Sequence, residues 1–409
     1  MRGRSSNWLL RNARVVLGPA EALPLDIEVA NGRIRVLLPP GNEPGSVNAE
    51  IVDLEGCLIL PGLINAHDHL EFSLFPKLGA GPYPNAKAWA EDVYRPAEAP
   101  IADHLRVPKQ ERLLWGAIKN LLGGVTTVCH HNPHEEVFEH DFPVRVVKRF
   151  GWAHSLAFGG DVQEQFRRTP QDWPFIIHIG EGADDASRDE IHCLHEMRAL
   201  DERTVCVHAA GLDDEGWALL EERNGSVVWC PSSNQFTLGR TVDRDVFDRP
   251  VPVTLGTDSA MTAHVTLLEE LRVASRGSGL PPARLYSMVT ETAAQVLRLE
   301  DSEGSIRESG VADLIAVRDG GASPGETLIR ITAEDLRLVI IGGRVKLVSL
   351  SVARGLIRER VGETHLHPLS VEGHGKFLVA ADVEMLIRTT VAALGPDGVI
   401  RLAGRRVIA

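Results

Sequence analysis

Apolar and polar positions along the chain fall into two regimes. Over roughly the first 60 residues the pattern is short and alternating: Leu9–Leu17, Asp26–Val29, Arg33–Leu38 and Glu50–Asp53, punctuated by Gly18-Pro19, Asn31-Gly32 and Pro39-Pro40-Gly41. Period-two alternation between turn residues predicts strands with one buried face. Asn31-Gly32 between two such runs predicts a hairpin, because both residues tolerate the positive φ of a tight primed turn. Asp313–Val317 and Leu336–Val348, the latter interrupted by Gly342-Gly343, repeat the pattern late in the chain. The two ends are therefore expected to share one small β-sandwich, formed by 1–57 and 306–350.

The stretch 58–305 differs. Apolar runs suited to buried parallel strands (Leu58–Ala66, Val125–His130, Ala153–Phe158, Phe175–Ile179, Thr204–Val207, Ser226–Cys230 and Val251–Gly256) alternate with segments of helical period. Those segments include Gln110–Leu122, Asp189–Leu200, Glu215–Glu222 and Thr266–Ser275. About 250 residues of such units fit a TIM barrel, so the fold class is α/β. Seven strands stand out rather than eight. The stretch 159–174 is short for a strand, helix and second strand, so the fourth βα unit is expected to be truncated or irregular. Residues 351–409 form a C-terminal extension of unassigned role, with a helix over Val383–Leu394.

Composition narrows the partners. The 409 residues are 44% hydrophobic and 24% charged, as in ordinary globular domains, with net charge −13 and no basic run. Nucleic acid and anionic membranes are therefore not expected as partners. The cysteines Cys57, Cys129, Cys193, Cys206 and Cys230 are scattered without a C-x-x-C pair, so buried free thiols and a reducing cytoplasm are expected. No signal-like apolar segment follows the N-terminal basic residues, and no run reaches the roughly 20 residues of a membrane span.

The chemistry is concentrated at strand ends. Cys57-Leu-Ile-Leu-Pro-Gly-Leu-Ile-Asn-Ala-His-Asp-His69 ends in two histidines two apart, which strand geometry points to one side. Phe175–Gly182 ends in His178 with Glu181 three residues on; Thr204–His208 ends in His208; Val251–Asp258 ends in Asp258. In a barrel these ends share the face on which active sites sit. A lone strand-end histidine is more often a core residue, but four coincident ends of this type are not explained that way.

These residues carry a resemblance. Pro61-Gly-Leu-Ile-Asn-Ala-His-Asp-His69, Gly124-Val-Thr-Thr-Val128, His178-x-x-Glu181, His208, Cys230-Pro-Ser-Ser-Asn234, Gly256-Thr-Asp-Ser259 and the Gly304–Ile315 segment, in this order, resemble the amidohydrolase superfamily, in its cytosine deaminase and triazine hydrolase branch. The resemblance implies a distorted (β/α)8 barrel with a small β-sandwich from both termini. It implies one divalent metal per chain, zinc or ferrous iron, held by His67, His69, His178 and Asp258. It also implies His208 as the residue that orients and deprotonates a water, Asp258 as proton acceptor and Glu181 as general acid to a leaving nitrogen. Hydrolysis of a C–N bond in a small molecule, above all deamination of a heterocyclic or amidine-type amine, is the expected reaction. A ring amide, an alkylamine or chloride are the alternative leaving groups. A non-catalytic metal-binding scaffold, or an isomerase or decarboxylase on the same barrel, are the competing classes. Relatives of this kind are commonly dimers or larger, so a homo-oligomer is expected.

Two departures from the resemblance bear on the substrate. Trp229 stands before Cys230-Pro where many relatives have histidine, and the loop Glu71–Asn85 is unfamiliar. Glu71, Lys77, Tyr83, Arg95, His131 and Asn234 are the candidate substrate contacts. The paired-cysteine motif of zinc nucleobase deaminases and the H-E-x-x-H of zincins are both absent. No lysine lies between 149 and 177 to bridge two metals, which favours a mononuclear site.

Overall fold

The computed structural model describes residues 7–42, 45, 49–353, 366–395 and 398–408. The N-terminal strands are β1 (Trp8–Val16), β2 (Ala22–Ala30), β3 (Arg33–Leu38), β4 (Glu50–Asp53) and β5 (Cys57–Pro61). The expected β2–β3 hairpin turns at Asn31 and Gly32, whose φ values of 54° and 79° are those the Asn-Gly pair permits.

Eight parallel strands follow. They are β6 (Leu63–Asp68), β7 (Val125–His130), β8 (Arg145–Val146), β9 (Gly151–Ser155), β10 (Phe175–Ile179), β11 (Thr204–His208), β12 (Ser226–Trp229) and β13 (Val253–Leu255). β6 to β8 form one parallel sheet and β9 to β13 another. A parallel bridge between Asp68 and Asp258 joins the end of β6 to the segment after β13. Ile64, Ala66, Cys129, Ile176, Val205, Val207 and Val228 pack together with Ala293, Val296 and Leu297, the last three from the helix Glu291–Val296 and the residue after it. The opposite faces of these strands pack against the surrounding helices, so the strands are apolar on both sides, as buried parallel strands must be.

The late strands are β14 (Leu314–Arg318), β15 (Leu336–Ile341), β16 (Arg344–Ser349), β17 (His367–Val371), β18 (Gly375–Val379), β19 (Arg401–Leu402) and β20 (Arg405–Ile408). With β1 to β5 they make one twelve-stranded sheet in which β5 and β14 pair antiparallel. Both chain ends thus meet, as the sequence predicts. Trp8 reinforces the junction by donating from Nε1 to the Gly343 carbonyl at 2.8 Å. Residues 366–408 extend this sheet through β16 and β18. The helix Val383–Leu394 forms as expected and lies against the helix Lys109–Leu122, where buried Trp115 Nε1 donates to Thr390 Oγ1 at 2.9 Å.

Three local expectations are corrected. The run Leu58–Ala66 is two strands, not one: β5 belongs to the large sheet and β6 to the parallel set. The break falls at Gly62, where a Cβ would lie 2.1 Å from Thr126 Oγ1. The fourth βα unit is complete, since β9 leads through the helix Val162–Arg168 to β10. The short units are the second and third, in which β7 reaches the two-residue β8, and β8 reaches β9, without an α-helix. The helix expected over Asp189–Leu200 runs instead from Asp185 to Glu196, because Asp184 caps it by accepting from the Ser187 amide. All five cysteines are free thiols and only Cys193 is exposed, as expected. Among the described residues no helix is long and apolar enough to cross a membrane.

The close approach at Gly62 generates a test. Gly62→Ala should destabilise the fold by about 1–3 kcal/mol through overpacking. Adding Thr126→Ala removes the hydroxyl and methyl contacts but leaves its Cβ 2.7 Å from the new one, so it should recover only part of that loss in a denaturant titration. A neutral Gly62→Ala would contradict the reading of this break.

Candidate metal centre

His67 and His69 leave β6 on the face that meets β10 and the segment after β13. A register shift between Asn65 and Asp68 marks a bulge in β6. Asn65 and Asp68 consequently both reach back to the helix Lys109–Leu122, through Asn120 and Lys119. The two histidines face the opposite side. His178 arrives from the last turn of β10. Asp258 follows β13 at φ 55°, a left-handed conformation that aspartate tolerates better than most residues.

One ligand atom from each of His67, His69, His178 and Asp258 lies within 4.8 Å of the others, and all four residues are buried. His67 Nε2 is 3.2 Å from His178 Nε2 and 3.4 Å from Asp258 Oδ1; His69 Nε2 is 3.5 Å from the same oxygen. These separations match the ~3.3 Å edge of a tetrahedron built with metal–ligand bonds of about 2.0–2.1 Å.

The tautomers explain why the nitrogens converge. His178 Nδ1 donates to the His154 carbonyl at 2.7 Å, so its Nε2 carries a lone pair. His131 Nε2 donates to the Ala153 carbonyl at 3.0 Å, which makes its Nδ1 an acceptor. His67 Nδ1, 3.2 Å from that atom, is then the donor, and His67 Nε2 carries a lone pair too. Burial lowers the pKa of His67 and pushes those of His69 and His178 well below the usual imidazole value, so all three are neutral. Asp258 is held well below the usual carboxylate range: burial alone would raise it, but contact with His67 and the neighbouring imidazoles outweighs that. Two lone pairs therefore face each other beside a carboxylate, with no proton between the two nitrogens. A cation is the group that such a set fits.

The remaining catalytic candidates lie alongside. His208 is turned into the site by a left-handed backbone at φ 76°. Its Nδ1 donates to Asn234 Oδ1 at 2.7 Å, which leaves Nε2 as a buried acceptor without a hydrogen-bond partner. Glu181 Oε1 lies 3.5 Å from that nitrogen. Burial pushes the Glu181 carboxyl up to about 7, against the opposing pull of His208. Gly180, at φ 66°, forms the turn between His178 and Glu181, and its amide donates to Glu190 at 2.8 Å.

The candidate substrate contacts are placed less uniformly. His131 is fully buried behind His67 and orients it. Asn234 is buried and engaged by His208. Glu71 pairs with Lys109 at 3.1 Å, Lys77 lies 4.3 Å over the Phe236 ring, and Tyr83 donates to Asp92 at 2.6 Å. Arg95 is exposed and donates to the Asp92 carbonyl. The loop carrying these residues docks on the Glu181 turn, since the Ala86 amide donates to the Glu181 carbonyl at 2.9 Å.

Sequence reasoning missed Ser233 and Thr262, which both donate to Asp258 Oδ2 and leave Oδ1 for the imidazoles. Ser233 enters the sequence reading only within Cys230-Pro-Ser-Ser-Asn234, with no role of its own; Pro231 at the first helical position opens the helix Pro231–Leu238 that carries it. Glu270 was missed too. It is buried, accepts from the Ser232 amide at 2.8 Å and is raised to about 8 by burial.

Fold and site together resemble those of the amidohydrolases. A sequence model of the amidohydrolase family matches residues 171–346. The chain is 24% identical over 372 residues to a 5-methylthioadenosine/S-adenosylhomocysteine deaminase of Pyrococcus horikoshii, covering 72% of this chain and 84% of that protein. It is 24% identical over 376 residues to a 5'-deoxyadenosine deaminase of Methanothermobacter thermautotrophicus, covering 74% and 85%. In fold it resembles a zinc-bound adenosine deaminase from Xanthomonas campestris, with TM-score 0.69, 20% identity and coverage of 96% and 98%. It likewise resembles the zinc complex of atrazine chlorohydrolase from Arthrobacter aurescens, with TM-score 0.70, 18% identity and coverage of 95% and 100%. The amidohydrolase resemblance read from the motifs is borne out.

The relay behind His67 has a measurable consequence. His131→Phe removes the acceptor that fixes the His67 tautomer, and zinc affinity should fall about 10–100-fold. Unchanged affinity in a chelator competition would show that His67 needs no such partner.

Proposed function

We propose that the chain is a metal-dependent hydrolase of non-peptide C–N bonds that deaminates a heterocyclic or amidine-type amine in a small molecule. The observation that carries this reading is a buried set of four converging ligands beside the protonatable Glu181 and the acceptor nitrogen of His208. The eight parallel strands, which begin at Leu63, are read as a distorted (β/α)8 barrel, with the sheet of both chain ends as its β-sandwich. The names of the relatives, deaminases of adenosine derivatives, support a nitrogen-bearing heterocycle as substrate.

One zinc ion per chain, with ferrous iron as the alternative, would be held by His67, His69, His178 and Asp258 and would supply a water acidic enough to attack near neutral pH. The protein's own groups divide the proton work. His208 Nε2, its tautomer fixed by Asn234, orients the water and accepts its first proton. Asp258 takes up proton charge through Oδ1, while Ser233 and Thr262 hold its other oxygen. Addition of the water oxygen to the ring carbon that bears the amine breaks the C=N π bond, and the ring nitrogen that receives the electron pair takes up the proton held by His208. Glu181 then donates its proton to the departing nitrogen, ammonia leaves and a carbonyl remains. A nitrogen leaving group needs that proton and chloride does not, which is why Glu181 favours C–N cleavage.

Three outcomes follow. Stripping with a chelator should abolish ammonia release from a responsive amine, and zinc should restore it; full turnover by the stripped protein would rule out the metal. Glu181→Gln keeps the shape and loses the acid, so kcat should drop by about 10²–10⁴-fold with zinc content unchanged. Because the folded Glu181 titrates near 7, its acid form is present below that pH and lost above it. Turnover should therefore decline as pH rises through about 7, and a rate still climbing there would assign the acid elsewhere.

A further inference from the structure

Behind the ligand strand lies a buried ionic group that the chemistry above leaves unused. Asp68, between His67 and His69, has no solvent exposure and points away from the ligands. Lys119, 2% exposed on the helix Lys109–Leu122, places its ammonium 3.0 Å from Asp68 Oδ1 and 2.9 Å from Oδ2. Asn120 donates to the same carboxylate at 2.7 Å and Asn65 at 3.2 Å. Asn65 also donates to Thr257 Oγ1 at 2.8 Å and accepts from the Thr257 amide at 3.1 Å.

Thr257 immediately precedes Asp258. The main chain repeats the connection, since the amides of Thr257 and Asp258 donate to the His67 carbonyl at 2.9 and 3.1 Å. The His131 amide donates to the Asp68 carbonyl at 3.0 Å. One buried charge pair and its amides thus grip the backbone that carries His67, His69 and Asp258, three of the four ligands. Such a pair is a poor source of stability, because desolvating both ions offsets their attraction. What it supplies is direction: the ammonium and the two amides accept only one orientation of the strand bulge.

We infer that Lys119 and Asp68 are positioning residues for the metal centre, locking the rear of β6 so that its two imidazoles and Asp258 meet at ligand spacing. This rests on the metal-centre reading above.

The test measures the zinc dissociation constant of metal-stripped protein by competition with a chromophoric chelator, together with the melting temperature of each zinc-free form. Lys119→Met leaves the Asp68 carboxylate buried without its counter-ion, and zinc binding should weaken about 10–100-fold, the range for a lost outer partner. The double variant D68N/K119M removes both charges; it should fold and bind zinc several-fold more weakly than the wild type, yet more tightly than Lys119→Met. Should Lys119→Met fail to fold, the double variant carries the comparison. Zinc affinity of the double variant within twofold of wild type would overturn the inference, because the pair would then serve the fold alone. Failure of the wild type itself to bind zinc would instead overturn the metal centre, and this inference with it.

Discussion

His67 Nε2 and His178 Nε2 lie 3.2 Å apart, each with its lone pair forward and the Asp258 carboxylate beside them. Without a positive charge this arrangement is repulsive, so it must be imposed from outside. The imposition is visible one layer back. The His154 carbonyl fixes His178, the Ala153 carbonyl fixes His67 through His131, and Ser233 and Thr262 fix Asp258. The His154 and Ala153 carbonyls, His131 and Ser233 sit at or near the end of a parallel strand or at the start of the helix that follows, and Thr262 lies in the turn after Asp258. The parallel topology serves the site by delivering such groups to one end, and the strand interiors provide the apolar packing that keeps them there.

Burial also separates the carboxyl groups by role. Asp258, among imidazoles and hydroxyls, is held low, while Glu181 is raised to about 7 by desolvation that the opposing pull of His208 does not cancel. Two carboxyl groups pushed in opposite directions within one site are what a reaction needs when it must both take up and return a proton near neutrality. The turn that carries Glu181 is held from two sides, by Glu190 at Gly180 and by the loop backbone at Ala86. The Glu181 turn is therefore tied in position relative to His178.

Much of this was legible in the chain. His67, His69, His178, His208 and Asp258 each end an apolar run, so a barrel reading alone brings them to one face. The Asn31-Gly32 hairpin was equally plain, because its signal is local. What escaped was information carried between segments. β8 has two residues and no periodicity to detect. The Gly62 break depends on Thr126, more than sixty positions away. His131, expected at the substrate, serves His67 through a contact that no sequence spacing encodes. Ser233 and Thr262 look like ordinary helix-start and loop residues until Asp258 is placed between them.

The C-terminal segment shows how far support for the ligand strands extends. Its helix Val383–Leu394 bonds Trp115 through Thr390, on the same helix whose Lys119 and Asn120 reach Asp68. Its Arg405 pairs at 3.1 Å with Glu269, the capping-box acid of the helix Leu267–Ser278. That helix begins just after the Asp258–Thr262 turn. The His374 imidazole 4.0 Å away and hydrogen bonds from the Thr266 amide and Arg405 overcome the effect of burial and hold Glu269 down at about 2, so it remains charged and keeps the cap closed. The segment after 366 thus touches both helices adjoining the ligand-bearing ends, one behind His67 and His69 and one beyond Asp258. A site whose ligands repel one another needs rigid backing on each side, and here the last strands of the chain supply part of it.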